Sequence, residues 1–176
     1  MKILVFDIEA NGLIEDADTI WCICARDISS KNEYIFTGES LTKDNIVSLF
    51  SNSKLIGHNI IGYDIPIIEK FYDINLIDLV GKENIIDTYI WSSTLNPDRQ
   101  LPIGCPTVVA NPVTKKGKKI GPHGLEAWGY NVGFKKIEIH DWNVFTNHIV
   151  ERCMGDVHIN ELVYYKLLKE AGFEAL

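Results

Sequence analysis

The 176-residue sequence has no apolar run approaching the ~18 residues of a membrane-spanning helix, so nothing in it points to a bilayer. Its opening, Met1-Lys2 followed at once by Ile3 to Phe6, lacks the cleavage region of a secretory signal and reads as the start of the fold. Cysteine is sparse. Cys22, Cys24, Cys105 and Cys153 form no C-x-x-C pair and no regular framework, which favours reduced, buried thiols in a cytoplasmic protein over a disulfide scaffold. Basic charge is in deficit too, with 17 Lys+Arg against 24 Asp+Glu and a net charge of −7. That balance excludes a protein that coats nucleic acid by bulk electrostatics. An enzyme that concentrates its negative charge around metal ions remains open. There is no internal repeat and no low-complexity segment, and 46% hydrophobic residues with 10% aromatics rule out intrinsic disorder.

What is present is a regular alternation of apolar runs and turn signals. Lys2 to Ile8 is an almost unbroken hydrophobic run, as expected of a strand covered on both faces. Thr19 to Arg26 and Glu33 to Thr37 read as the next two strands, joined by a polar turn. Thr42 is placed to cap a helix running to Phe50, Lys54 to Gly57 is a short strand, and Tyr63 to Tyr72 a helix. Ile85 to Asp87 gives one more short strand before a helix near Tyr89 to Leu95. From Asn96 to Pro122 prolines, glycines and the tract Lys115-Lys116-Gly117-Lys118-Lys119 replace periodicity, a long connection that is either functional or mobile. Helical patterning returns at Gly124 to Tyr130. It dominates from Phe145 to Glu170, where Ile149, Cys153, Val157, Tyr164 and Leu168 mark an inner stripe. The order predicts an α/β fold, a mixed sheet flanked by helices, in one domain over residues 1–176.

The acidic residues carry the chemistry. Asp7 and Glu9 close the first strand, where residues i and i+2 share a face with Cα atoms roughly 6–7 Å apart. Two carboxylates there repel each other and lose hydration, which a divalent cation offsets; alternatively the strand ends at Asp7 and Glu9 is solvated. Asp64 starts a helix, where it either joins them or simply complements the helix dipole. Asp156 sits inside a strongly helical stretch, either solvated or with a task that offsets its poor helix propensity.

Taken together, Asp7-Ile8-Glu9, His58-Asn59 with Asp64, and Asp156 resemble the three motifs of the DnaQ-like (DEDD) 3′→5′ exonucleases. The chain also looks like the proofreading domain of phage family-A replicative DNA polymerases, the thioredoxin-recruiting short-tailed-phage type. That likeness rests on Asp7-Ile8-Glu9-Ala10-Asn11 with Leu13, on Tyr63-Asp64-Ile65-Pro66, and on Ile86-Asp87-Thr88. It continues through Gly121, His123 and the run Leu125-Glu126-Ala127-Trp128-Gly129-Tyr130 to Asp156-Val157.

The resemblance implies a ribonuclease-H-like fold in which Asp7, Glu9, Asp64 and Asp156 hold two Mg²⁺ or Mn²⁺ ions about 3.5–4 Å apart. The five histidines show no zinc spacing, and oxygen ligands suit the hard ions. It also implies that Leu13 wedges near the terminal base and that Asn59 and Tyr63 flank the last nucleotide. Each of the three also has a plain structural role open to it: core leucine, loop asparagine, helix-start tyrosine. Lys115 and Lys116 either lead the strand to the cleft or belong to a solvated loop, and Trp128 reads as a core anchor.

The sequence departs from the family where a tyrosine normally stands four residues before the last aspartate, or a histidine five before it. Those positions hold Arg152 and Glu151. Arginine cannot accept a proton at neutral pH. It either orients the scissile phosphate and stabilises charge in the transition state, or pairs with Asp156 and marks a weakened site. The expectation is a free-standing viral exonuclease in the host cytoplasm, without a polymerase domain. Its substrate is the 3′ end of single-stranded or frayed DNA, and its partner a separate DNA polymerase. A non-catalytic binding module and an exoribonuclease on the same scaffold are the competing readings.

Overall fold

The computed structural model describes residues 1–110, 117–134, 136–139 and 141–173. Lys2–Ala10 (β1) forms the centre of a five-stranded sheet with Ile20–Asp27 (β2), Glu33–Thr37 (β3), Ser53–Gly57 (β4) and Ile85–Asp87 (β5). The strand order is β3-β2-β1-β4-β5. The β1–β2 and β2–β3 pairs are antiparallel, while β1–β4 and β4–β5 are parallel. The sheet is therefore mixed, as expected from the alternation in the sequence, and agrees with the ribonuclease-H-like fold that the resemblance implies.

Helices cover both faces. Lys43–Phe50 (α1), Asp64–Tyr72 (α2) and Leu76–Val80 (α3) lie on one side, where Leu4, Phe6 and Ile8 of β1 pack with Ile46, Phe50, Ile67 and Ile68. Thr88–Leu95 (α4), Leu125–Val132 (α5) and the 24-residue Asn147–Glu170 (α6) follow. On the face toward α6, Val5, Cys22, Cys24 and Ile56 meet Ile149, Cys153 and Val157, which is the stripe read from the sequence. Alternation along β1 thus sends Val5, Asp7 and Glu9 toward α6 and the residues between them toward α1 and α2.

Local chemistry fixes the ends of several elements. Thr42 caps α1 by accepting from the Asn45 amide at 3.2 Å. Asp87 caps α4, its Oδ1 accepting from the Tyr89 amide at 2.9 Å. Asn75 caps the five-residue α3, a helix that the sequence pattern does not announce. Within the 96–122 connection, Val108–Ala110 (β6) and Gly117–Lys119 (β7) pair as a short antiparallel ribbon, also unforeseen. Trp128 is buried, as expected of an anchor, with the Arg99 guanidinium 4.5 Å from its ring centroid. No helix among the described residues is long and apolar enough to cross a membrane.

Candidate metal centre

Asp7 and Glu9 sit opposite Cys24 and Cys22 of β2, on the face covered by α6. Asp156, buried on α6, comes down onto them, and carboxylate oxygens of Asp7, Glu9 and Asp156 lie within 4.8 Å of one another. Asp64 is adjacent rather than part of this trio. The β1–β4 pairing stops at Val5↔Ile56, and beyond it the Ile8 amide donates to Asp64 Oδ1 at 3.1 Å. Its charge is nevertheless felt by Asp7, whose carboxyl is held well above the usual range by burial, then by Asp64, Glu9 and Asp156. Burial likewise pushes Glu9 up to about 8 against the opposing pull of Arg152, and Asp64 up to about 8. Asp156 Oδ1 is buried with no hydrogen-bond partner. A buried, partly unsatisfied set of hard oxygens is what Mg²⁺ or Mn²⁺ fits.

Among the described residues, two cations already lie among these acids. Arg152 Nε is 3.0 Å from Glu9 Oε1, and Arg152 Nη2 is 3.9 Å from Asp156 Oδ2. Its Nη1 also donates to the Ile137 carbonyl, and the guanidinium lies 5.4 Å from the Trp142 ring centroid. The guanidinium thus pairs more closely with Glu9 than with Asp156, the partner considered from the sequence. The second cation is Lys136, whose Nζ is 2.7 Å from Asp156 Oδ2. Sequence reasoning missed it. Lys136 stands in an irregular segment well before α6, and no periodicity or motif marks it.

Of the residues expected along a substrate strand, Leu13, Asn59 and Tyr63 follow the C-terminal ends of β1 and β4, the end of the sheet where Asp7 and Glu9 lie. Leu13, in the turn after β1, is 73% exposed. Asn59 is exposed with φ 63°, and its amide donates to Asp87 Oδ1 at 3.0 Å. Asp87 Oδ2 takes the Ile61 amide at 3.1 Å, so one buried carboxylate holds the 59–61 loop and the start of α4 together. Tyr63 precedes α2 and donates from its hydroxyl to the Gly12 carbonyl at 2.7 Å. Burial and the neighbouring acids push that phenol up to about 12, so it stays protonated. His58 Nδ1 is 2.9 Å from Thr88 Oγ1, and burial drives its pKa down to about 3, leaving a neutral ring. Lys115 and Lys116 lie outside the described residues; Lys118 and Lys119 of the same tract are exposed on β7.

Comparison with known proteins follows the same outline. The model of the RNase H superfamily matches residues 4–101. The DNA-directed DNA polymerase of Escherichia phage T7 is 27% identical over 196 residues, covering 97% of this chain and 27% of the polymerase. The chain thus spans about a quarter of that relative's length, and the likeness to phage replicative polymerases read from the motifs holds over nearly all of it. Among solved structures, Escherichia coli RNase D superposes with a TM-score of 0.63 at 13% identity, covering 98% of this chain and 40% of RNase D. Escherichia coli exonuclease I, solved with a dT13 oligonucleotide, gives 0.57 at 14% identity, covering 97% of this chain and 42% of that protein. These likenesses are of fold.

Proposed function

The chain belongs to the RNase H superfamily, and from that premise we propose that it is a divalent-metal-dependent 3′→5′ exonuclease acting on single-stranded or frayed DNA. The observation that carries this is the meeting of Asp7, Glu9 and Asp156 oxygens within 4.8 Å, with one Asp156 oxygen buried and unsatisfied. Asp7, Glu9 and Asp156 would hold the ions, with Asp64 as the adjacent fourth carboxylate. When bound, two Mg²⁺ or Mn²⁺ ions would supply a more acidic attacking water and charge stabilisation of the leaving 3′ oxygen.

The protein's own groups do the rest. Arg152 cannot take a proton, and Asp156, Glu9 and Asp7 raise its pKa further despite burial. Fixed by Glu9, Ile137 and Trp142, it is suited to orienting the scissile phosphate and stabilising its growing charge. Exposed Leu13 is suited to wedging beside the terminal base, and Asn59 and Tyr63 to flanking the last nucleotide. In this reading Lys115 and Lys116 belong to the basic tract that guides the strand. DNA is favoured as substrate because the T7 relative is a DNA polymerase, and the partner we propose is a polymerase whose activity lies outside these residues. Because Arg152 and Lys136 already neutralise Glu9 and Asp156, a nucleic-acid-binding module with little turnover is the second reading.

A 5′-labelled single-stranded oligonucleotide tests the proposal. Expected is a ladder shortening from the 3′ end in Mg²⁺ or Mn²⁺, none in EDTA, and a loss of at least about a hundredfold in Asp7→Ala. Activity persisting in a clean Asp7→Ala preparation would refute the mechanism. Tight binding without shortening would establish the second reading, and faster loss of an RNA strand run in parallel would make the enzyme an exoribonuclease.

A further inference from the structure

Among the described residues, Lys136 is the one member of the acidic cluster that comes from neither a strand nor a helix. Its side chain is 12% exposed and that of Asp156 6%, so the 2.7 Å pair is largely shielded from water. The segment bearing it is pinned from both ends. The Phe134 amide donates to the Gly129 carbonyl at 2.9 Å, and a Cβ at Gly129 would stand 2.7 Å from the Phe134 carbonyl oxygen, so only glycine allows this approach. On the other side, Ile137 is tied to Arg152 through its carbonyl and Ile139 is buried. The backbone of Lys136 is thereby held, so any movement of its ammonium has to come from rotation within the four-carbon stem.

The two cations in the site therefore differ in kind. Arg152 is gripped by a carboxylate, a carbonyl and an indole face. Among the described residues, Lys136 has Asp156 as its single polar partner. Divalent ions added to a cluster that keeps both cations would over-neutralise it, and an ion seated on the unsatisfied Asp156 Oδ1 would face an ammonium held on Oδ2 of the same carboxylate. One cation must yield, and the singly held one yields first.

We propose that Lys136 is a built-in, removable counter-ion: it occupies Asp156 in the metal-free protein, competes with the divalent ion for it, and once displaced contacts a phosphate of the bound strand. A flexible ammonium at the rim of the carboxylates is suited to that second contact. The inference rests on the proposal that Asp7, Glu9 and Asp156 bind metal.

Mn²⁺ titration calorimetry and thermal melts, each in Mn²⁺ and in EDTA, test it on wild type, Lys136→Met, Lys136→Gln and Lys136→Arg. Expected for Met and Gln are about tenfold tighter Mn²⁺ binding, the scale of one partly buried ion pair, a lower Tm in EDTA and a larger rise in Tm on adding Mn²⁺. The Arg variant, which keeps the cation, should stay near wild type. In saturating Mn²⁺ the Met variant should bind a single strand more weakly, with a shallower salt dependence. Unchanged or weaker Mn²⁺ binding in both neutral variants overturns the inference alone. Absence of Mn²⁺ binding in wild type and all variants overturns the metal-site reading and this inference with it.

Discussion

Glu9 and Asp64 each have an ordinary carboxylate value, 4.5 and 3.8, that burial pushes up to about 8. A folded-state value above the unfolded one means that the native protein holds more protons than the unfolded chain between those limits. These groups therefore lower stability as pH rises from about 4 to about 8, and their destabilisation is complete above that. Chelator-treated protein is accordingly expected to lose several degrees of Tm from this site between about pH 5 and about pH 8.5. Saturating Mn²⁺ should remove most of that loss, because it stabilises the ionised carboxylates. A Tm that rises with pH equally in EDTA and Mn²⁺ contradicts the assignment of those values to the cluster. At this scale the sequence was informative wherever spacing on one element decides geometry. Asp7 and Glu9 share a strand face by period two, and Arg152 and Asp156 share a helix face by one turn. Lys136 was illegible because its place is set from other elements, by a glycine of α5 and by the Arg152 guanidinium of α6 on the neighbouring Ile137 carbonyl.

The elements show how a polar residue far from the chemistry places it. Asp87 ends β5, caps α4 through the Tyr89 and Ile90 amides, and also receives the amides of Asn59 and Ile61. Without its carboxylate the Asn59 and Ile61 amides lose their tie to α4, which leaves Thr88 with His58 and Gly57 to hold the turn, and several part-buried amides lose their acceptor. Asp87→Ala is expected to cost about 2–3 kcal/mol in urea denaturation, more than a helix cap alone. It should also raise the KM for a single strand more than it lowers kcat, since it moves Asn59 and leaves Asp7, Glu9 and Asp156 in place. A fall in kcat alone would put Asp87 in the chemistry instead. The long periodic elements, β1 to β3 and α6, were readable because burial of one stripe dictates their sequence. The five-residue α3 is too short for a stripe and is recognisable chiefly by Asn75 at its cap. The β6–β7 ribbon is built partly of glycine and exposed lysine, which carry little strand preference.

Across the whole molecule, α6 joins core and site. Ile149, Cys153 and Val157 are fully buried against β1 and β2, and Arg152 and Asp156 ride on the same turns. Cys153 Sγ lies 3.3 Å from the Asp7 carbonyl oxygen, beside the wholly buried Cys22 and Cys24. No reagent reaches these three thiols unless α6 lifts from the sheet, and that motion also separates Asp156 from Asp7. The half-buried Cys105 lies elsewhere. With a thiol reagent in excess, one cysteine is thus expected to react readily in the native protein and three only at the rate of opening. An ion bridging β1 and α6 binds the closed form and not the open one. Mn²⁺ at about a hundred times its Kd should therefore slow the three-thiol phase about a hundredfold, or about 2.7 kcal/mol, and leave Cys105 unaffected. If the slow phase ignores Mn²⁺ that calorimetry shows to be bound, the ion is held without α6, and Asp156 is not one of its ligands.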